Sequence, residues 1–176
     1  MKAVFLVGFM GAGKTSVGQA LAAELGWRFL DLDDRVVAKS GRTVAEIFQQ
    51  EGEAHFRQLE HEALRSLLRE LDSARTVVSL GGGAWMQPAN VALLQESSQP
   101  VIFLDAPVEE LWRRCLPQTG LRPLLQNETD FRKLHAARRA NYAAGTQRVE
   151  TLNSTVEQIA QGIALLLGLA KTNSNP

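Results

Sequence analysis

Five short, mostly apolar runs punctuate the chain, at residues 3–7, 28–32, 76–80, 101–104 and 148–151. Longer segments with apolar residues at helical spacing separate them. Residues 14–25 carry Val17, Leu21, Ala22 and Leu25 on one stripe, and Gly26 follows as a stop signal. Residues 53–71 repeat the pattern with Phe56, Leu59, Ala63, Leu64 and Leu67. Residues 90–95, 108–115, 130–144 and 155–167 complete the helical set, and Gly168 closes the last. Short strands alternating with helices predict an α/β protein with a parallel sheet, and strands this apolar are covered on both faces. One stretch breaks the pattern. Residues 116–127 hold Pro117, Gly120 and Pro123 around Arg122, just after Arg113 and Arg114. An arginine-bearing loop inside a compact domain reads as a lid, and the polar end from Lys171 to Pro176 reads as a frayed tail.

Composition narrows the class without choosing within it. The 176 residues, 45% of them hydrophobic, suit one domain with one core, residues 1–170. Lys+Arg and Asp+Glu balance at 19 each, which gives no reason to expect a nucleic-acid partner. A single cysteine, Cys115, excludes an intrachain disulfide and points to a reducing compartment. No apolar run approaches the ~20 residues that span a bilayer. The apolar start runs directly into a glycine-rich turn and a lysine, so it reads as a buried strand and not as a leader. A cytoplasmic protein without membrane association is the expectation.

Residues 8–15, Gly-Phe-Met-Gly-Ala-Gly-Lys-Thr, match G-x-x-x-x-G-K-[ST] between a predicted strand and a predicted helix. Gly11, Ala12 and Gly13 can turn successive N–H groups onto phosphate oxygens, and the helix N-terminus adds partial positive charge. Lys14 reaches β- and γ-phosphates in such a loop. Thr15 offers a hydroxyl to Mg²⁺, and Ser16 a further phosphate contact. A nucleoside triphosphate site follows.

The second strand ends Asp31-Leu32-Asp33-Asp34. Residues i and i+2 of an extended chain share a face, and ligands of open α/β sheets bind beyond the carboxyl ends of strands. One carboxylate can support the Mg²⁺ shell while the other accepts a hydrogen bond from an attacking hydroxyl. Helix capping is the competing use, assigned to Asp34, with Asp33 given to the substrate. Gly81-Gly82-Gly83 ends the third strand, where backbone must come close to a ligand or the chain simply turns. Taken alone, Arg57 is a surface arginine spaced for Glu53 and Glu60, and Arg138 and Arg139 read the same way. Trp27, Trp85 and Trp112 read as packing residues, and His55, His61 and His135 as ordinary helix residues without metal-ligand spacing.

Together these motifs resemble the shikimate kinases, over nearly the whole chain to about Leu167. Gly8-Phe9-Met10 opens the phosphate loop as in that family, and Asp31-Leu32-Asp33 is similar to its D-x-D. Phe56-Arg57-Gln58-Leu59-Glu60 is similar to F-R-x-x-E, and Arg122-Pro123-Leu124-Leu125 to its lid motif. Arg138-Arg139-Ala140-Asn141-Tyr142 stands where the family has R-x-P-x-Y, with alanine in place of the usual proline. The resemblance implies a three-layer sandwich around a five-stranded parallel sheet, of the nucleoside monophosphate kinase type with a mobile lid at about 113–126. It implies ATP, Mg²⁺ and shikimate as ligands, phosphorylation of the 3-hydroxyl, and a monomer. Asp31 then belongs with the metal and Asp33 with the attacking hydroxyl. Arg57, held by Glu60, and Arg138 bind the shikimate carboxylate, while Gly81, Gly82 and Gly83 line the pocket and Phe48 and Phe56 wall it. Arg122 closes over the transferring phosphate, and Arg113 or Arg114 adds an adenine or phosphate contact. A kinase for another small acceptor such as gluconate would share the phosphate loop without needing the other motifs together. A non-catalytic nucleotide- or shikimate-binding module would be expected to have lost Lys14, Asp33 or Arg122.

Overall fold

All five expected strands form, each within one residue of its expected ends: β1 Ala3–Val7, β2 Arg28–Asp31, β3 Thr76–Ser79, β4 Val101–Asp105 and β5 Gln147–Glu150. The structure, a computed structural model, describes residues 1–71, 74–116 and 127–169. The sheet runs β2-β3-β1-β4-β5 with every pairing parallel. Phe5 at the centre pairs with Val78 on one side and Val101 on the other. β1, β3 and β4 are buried throughout, as their largely apolar sequences favour, whereas β5 at one edge is largely exposed.

Seven α-helices flank the sheet among the described residues: α1 Lys14–Leu25, α2 Leu32–Ser40, α3 Val44–Glu70, α4 Pro88–Glu96, α5 Val108–Cys115, α6 Glu128–Ala143 and α7 Val156–Leu166. α1 buries Val17, Leu21 and Ala22, packs on β2 and β3, and lies against α7. α5 packs on α6, and α3 on α4. None of the helices is long and apolar enough to cross a membrane. The expected lid arginine Arg122 and the expected tail at 171–176 lie outside the described residues. Residues 113–116 complete α5 and continue it by one residue.

Two stretches differ from the sequence expectation. α2 was expected only through the capping use given to Asp34 and not from periodicity, because only Leu32 and Val36 of its nine residues are buried and the apolar stripe is too thin to show. Its cap is Asp31, whose carboxylate accepts the Asp33 N–H at 3.0 Å, so neither Asp33 nor Asp34 caps it. Asp33 therefore belongs to a helical turn, and strand alternation does not relate it to Asp31.

α3 begins nine residues before the expected start, at a Thr43–Glu46 capping box. Gly52 interrupts it with φ 80° and ψ 172°, so the apolar periodicity legible from residue 53 is that of the second half alone. This bend lets both halves of α3 face one cavity: Val44, Ala45 and Phe48 from before it, Phe56, Arg57 and Glu60 from after it. Such a conformation is open to glycine almost exclusively, at ~1–3 kcal/mol for other residues. Gly52→Ala is therefore expected to lower Tm by several degrees, at ~2–4 °C per kcal/mol for a chain of this size. A thermal melt followed by circular dichroism checks it, and an unchanged Tm would mean that the bend can be made another way.

Candidate functional site

The carboxyl ends of β1, β2 and β3 open into a cavity of about 430 Å³. Phosphate-loop residues Lys14 and Thr15 line one end. Asp31, Asp33 and Asp34 from the β2–α2 junction line its middle, and Arg57, Glu60, Gly81, Gly82, Gly83 and Arg138 its far end. These residues are up to 124 positions apart in sequence; the chain after β1, β2 and β3 meets at the carboxyl edge of the parallel sheet, and α3 and α6 carry Arg57, Glu60 and Arg138 to the same cavity.

In the loop, Gly13 adopts the left-handed conformation and forms the N-cap of α1, which leaves that helix terminus without a side-chain cap. Lys14 folds back, its Nζ donating to the carbonyls of Gly8 and Phe9 at 3.0 and 3.1 Å. Thr15 Oγ1 donates to Asp31 Oδ2 at 3.3 Å, so a hydroxyl and a carboxylate oxygen meet at one point beside the loop. Among the described residues no group of three or more His, Cys, Asp or Glu could hold a metal. A pair of hard oxygen donors suits Mg²⁺, which keeps much of its water shell and takes phosphate oxygens as well. Ala12 is buried and Ser16 exposed at the start of α1; neither lines the cavity. On the outer side of the loop, Arg114 Nη1 donates to the Gly11 carbonyl at 3.3 Å and Nη2 to the Thr151 carbonyl at 3.4 Å. Arg113 points into solvent and pairs with Glu110.

At the far end, Arg57 is not the surface residue its sequence spacing alone suggests: its side chain is 18% exposed. Nη1 donates to Glu60 Oε2 at 2.9 Å and Nη2 to Glu53 Oε1 at 3.0 Å. Its guanidinium lies 5.3 Å from the centre of the Phe56 ring, which in turn packs on Phe48 at 5.0 Å. Glu60 is wholly buried, and Gln87 Nε2 donates to the same Oε2 at 2.6 Å. Gln87 carries no motif that marks it in sequence; it sits between the glycine triplet and α4.

The triplet has a steric reason. A Cβ on Gly83 would lie 2.2 Å from Arg57 Nη2, and one on Gly81 would lie 2.6 Å from Asp33 Oδ1 and 2.8 Å from Glu60 Oε1. Those two carboxylate oxygens are buried and have no hydrogen-bond partner among the described residues. Burial first, and the neighbouring Asp31 second, push Asp33 up to about 6. Burial likewise pushes Glu60 up to about 7 against the opposing pull of Arg57. Burial works against the charge on Arg57 too, but Glu60 and Glu53 outweigh it and raise its ionisation.

The two adjacent arginines of α6 diverge. Arg138 lines the cavity and donates from Nη1 to the Gly82 carbonyl at 3.3 Å. Arg139 turns to the other side, where its Nη2 reaches Asp105 Oδ2 at 2.7 Å. Arg148 from β5 reaches the same oxygen at 2.8 Å. The histidines and tryptophans stay out of the cavity. Trp85 is buried with Nε1 on the Asn141 carbonyl at 2.8 Å, and His135 packs edge-on against Phe9.

A parallel sheet in the order 2-3-1-4-5, with Gly-x-x-x-x-Gly-Lys-Thr joining its central strand to the first helix, defines a P-loop kinase. A family model of shikimate kinase matches residues 10–167. A shikimate kinase of Geobacter metallireducens is 44% identical over 163 residues, which cover 91% of this chain and 88% of the relative. The solved shikimate kinase of Acinetobacter baumannii in complex with shikimate is 37% identical and superposes with a TM-score of 0.85, covering 94% of this chain and 93% of that one. A gluconokinase from Sinorhizobium meliloti, 20% identical with a TM-score of 0.58 over 96% of this chain and 93% of its own, shares the fold alone. The chain belongs to the shikimate kinase family.

The electrostatics of Glu60 can be tested through stability. Its ordinary value of 4.5 rises to about 7 in the fold, so the folded chain holds this proton more tightly than the unfolded one. The resulting stabilisation is complete below the ordinary value and is lost as pH rises through about 7. Glu60→Gln removes that dependence, so its Tm is expected to gain on that of the parent as pH rises from about 5 to about 8. A Tm difference that stays constant across that range would mean that Glu60 is already ionised at its lower end.

Proposed function

We propose that this chain transfers the γ-phosphoryl group of ATP to the 3-hydroxyl of shikimate, giving ADP and shikimate 3-phosphate. The observation that carries the reading is one cavity with a phosphate loop at one end, a carboxylate in the middle and two arginines at the other. Membership of the shikimate kinase family selects the acceptor those groups would take.

The division of labour follows from the chemistry. The N–H groups of Gly11, Ala12 and Gly13, with Lys14 and Ser16, hold the triphosphate. Thr15 and Asp31 hold Mg²⁺, which supplies charge neutralisation on the phosphates. Arg57 and Arg138 take the shikimate carboxylate; a guanidinium fork suits a carboxylate because two parallel N–H groups meet two oxygens. Glu60 keeps Arg57 in place. The triplet Gly81, Gly82 and Gly83, free of side chains, lets the ring approach the backbone, against the wall of Phe48 and Phe56.

Asp33 then accepts the hydrogen bond of the attacking hydroxyl. With its ionisation near 6 it is a carboxylate at neutral pH, and more basic than an exposed aspartate. The hydroxyl oxygen bonds to the γ-phosphorus as the bond to the β–γ bridging oxygen breaks, and the hydroxyl proton passes to Asp33 and on to water. Arg122 stabilises the equatorial oxygens of the transferring group. Arg114, already on the loop backbone, is better placed than Arg113 to meet the nucleotide. The enzyme works as a cytoplasmic monomer.

The decisive assay is ADP release from Mg-ATP with shikimate, gluconate or a nucleoside monophosphate as acceptor. Turnover is expected with shikimate alone. Turnover with gluconate instead would replace the acceptor, and ATP binding without turnover on any acceptor would make the chain a binding module.

Variants separate the two ends of the cavity. Arg57→Ala and Arg138→Ala are each expected to raise the shikimate KM by ~10- to 100-fold, the loss of a charged hydrogen bond, with the ATP KM nearly unchanged. Arg139→Ala should leave the shikimate KM alone. Lys14→Ala should abolish turnover. Equal effects of Arg57→Ala on both substrates would remove the carboxylate assignment.

A further inference from the structure

The carbonyl oxygens of the glycine triplet are held in two different ways. Ala84 N–H donates to the Gly81 carbonyl and Met86 N–H to the Gly83 carbonyl, both at 3.0 Å, so the turn at 84–86 secures those two by backbone. The Gly82 carbonyl is held by side chains of α6 instead: the Tyr142 hydroxyl and Arg138 Nη1 both donate to it. Of these donors only Arg138 lines the cavity. Tyr142 is 1% exposed, and its ring stacks on Phe103 with centroids 5.4 Å apart and planes at 23°. Phe103 belongs to β4 and is itself buried, so the phenol is fixed to the sheet.

The peptide this hydroxyl holds is free of side chains on both flanks. Without a Cβ on either residue the Gly82–Gly83 peptide can turn its carbonyl at lower cost than a peptide between substituted residues, and the hydrogen bonds to that carbonyl oppose the turn. A carbonyl oxygen turned inward would present its negative end to a bound carboxylate, and the two would repel. It would also release Arg138 from the carbonyl that now locates it. Burial pushes the Tyr142 hydroxyl up to about 12, so it remains a donor at every pH at which the protein is folded and assayed.

We propose that Tyr142 is a positioning residue for the acceptor: its hydroxyl pins the Gly82 carbonyl away from the cavity, and thereby sets the peptide and the Arg138 guanidinium that receive an anionic acceptor. This rests on the reading of the arginine end as the carboxylate site. Tyr142 touches no reacting atom; it acts through Gly82 and Arg138.

Tyr142→Phe keeps the ring and its stacking on Phe103 and removes the hydroxyl, and with it both the bond to the Gly82 carbonyl and the side-chain hydrogen bond with Arg138. Trp85→Phe serves as the matched variant, because it deletes a different tie to α6, the bond to the Asn141 carbonyl, without touching Gly82. Steady-state kinetics and melting curves are measured for both, with Arg57→Ala alongside. Tyr142→Phe is expected to raise the shikimate KM by ~3- to 10-fold, the loss of the hydroxyl's hydrogen bonds, with the ATP KM unchanged. Trp85→Phe is expected to lower Tm with the shikimate KM unchanged. The proposal is overturned if Tyr142→Phe shifts Tm alone, if both variants raise KM equally, or if Tyr142→Phe weakens both substrates together. If Arg57→Ala itself leaves the shikimate KM unchanged, the carboxylate site is misassigned; if Arg57→Ala raises it and Tyr142→Phe does not, the misassignment is confined to Tyr142.

Discussion

The far end of the cavity is organised around one buried ion pair. Glu60 has no exposure to solvent and Arg57 little, and charges in such a place hold together only if each keeps its partner. That requirement propagates outward. Gln87 must reach Glu60 from the start of α4, and Glu53 must lie one turn back to take the other edge of the guanidinium. Positions 81 and 83 must be glycine, because the carboxylates and the guanidinium occupy the volume a side chain would need. The triplet is therefore a consequence of the pair as much as a surface for a ligand. Gly52 belongs to the same arrangement, since without its bend α3 could not bring both Phe48 and Arg57 to the cavity.

The phosphate end follows a different economy. It is made almost wholly of local sequence: one strand, the six loop residues 8–13 and the first turn of α1. Its functional groups are backbone N–H groups, a lysine and a hydroxyl, and they need no distant element except Asp31 opposite Thr15. Lys14 on the carbonyls of Gly8 and Phe9 already sits across the mouth of the loop, within reach of whatever phosphate the loop holds.

That difference decides what could be read from the sequence. The strands, α1 and the phosphate loop were legible because their signals are contiguous: apolar runs and a motif of fixed spacing. α2 was legible only through the capping use expected of Asp34, for an aspartate cap followed by two more aspartates looks polar and leaves only two buried side chains to mark a helix. Asp31 and Asp33 were singled out for the right cavity but through strand alternation, which fails because the strand ends at Asp31; a cap and a helical turn bring them there. Arg57 looked like an exposed i,i+4 partner since burial depends on Gly81 and Gly83, more than twenty residues away. Spacing to Tyr142 could not by itself separate Arg138 from Arg139. The separation comes from Asp105, a buried carboxylate at the end of β4 that takes Arg139 and so leaves Arg138 the other side of the helix. Arg122 and the expected lid from residue 117 onward fall among residues the structure does not describe, while residues 113–116 belong to the end of α5 and its one-residue continuation.

The same division explains why sharing the fold does not assign the acceptor. The gluconokinase that is 20% identical shares the fold alone, and that likeness assigns neither end of the cavity. The end of the cavity proposed for the acceptor is assembled from the second half of α3, the glycine triplet and α6, none of which the phosphate loop requires. Its contacts are side chain to side chain or side chain to backbone, each dependent on the identity of a residue far away in sequence. Specificity for the acceptor thus resides in tertiary contacts that can change without disturbing nucleotide binding, and the buried Arg57–Glu60 pair is the contact that fixes the others here.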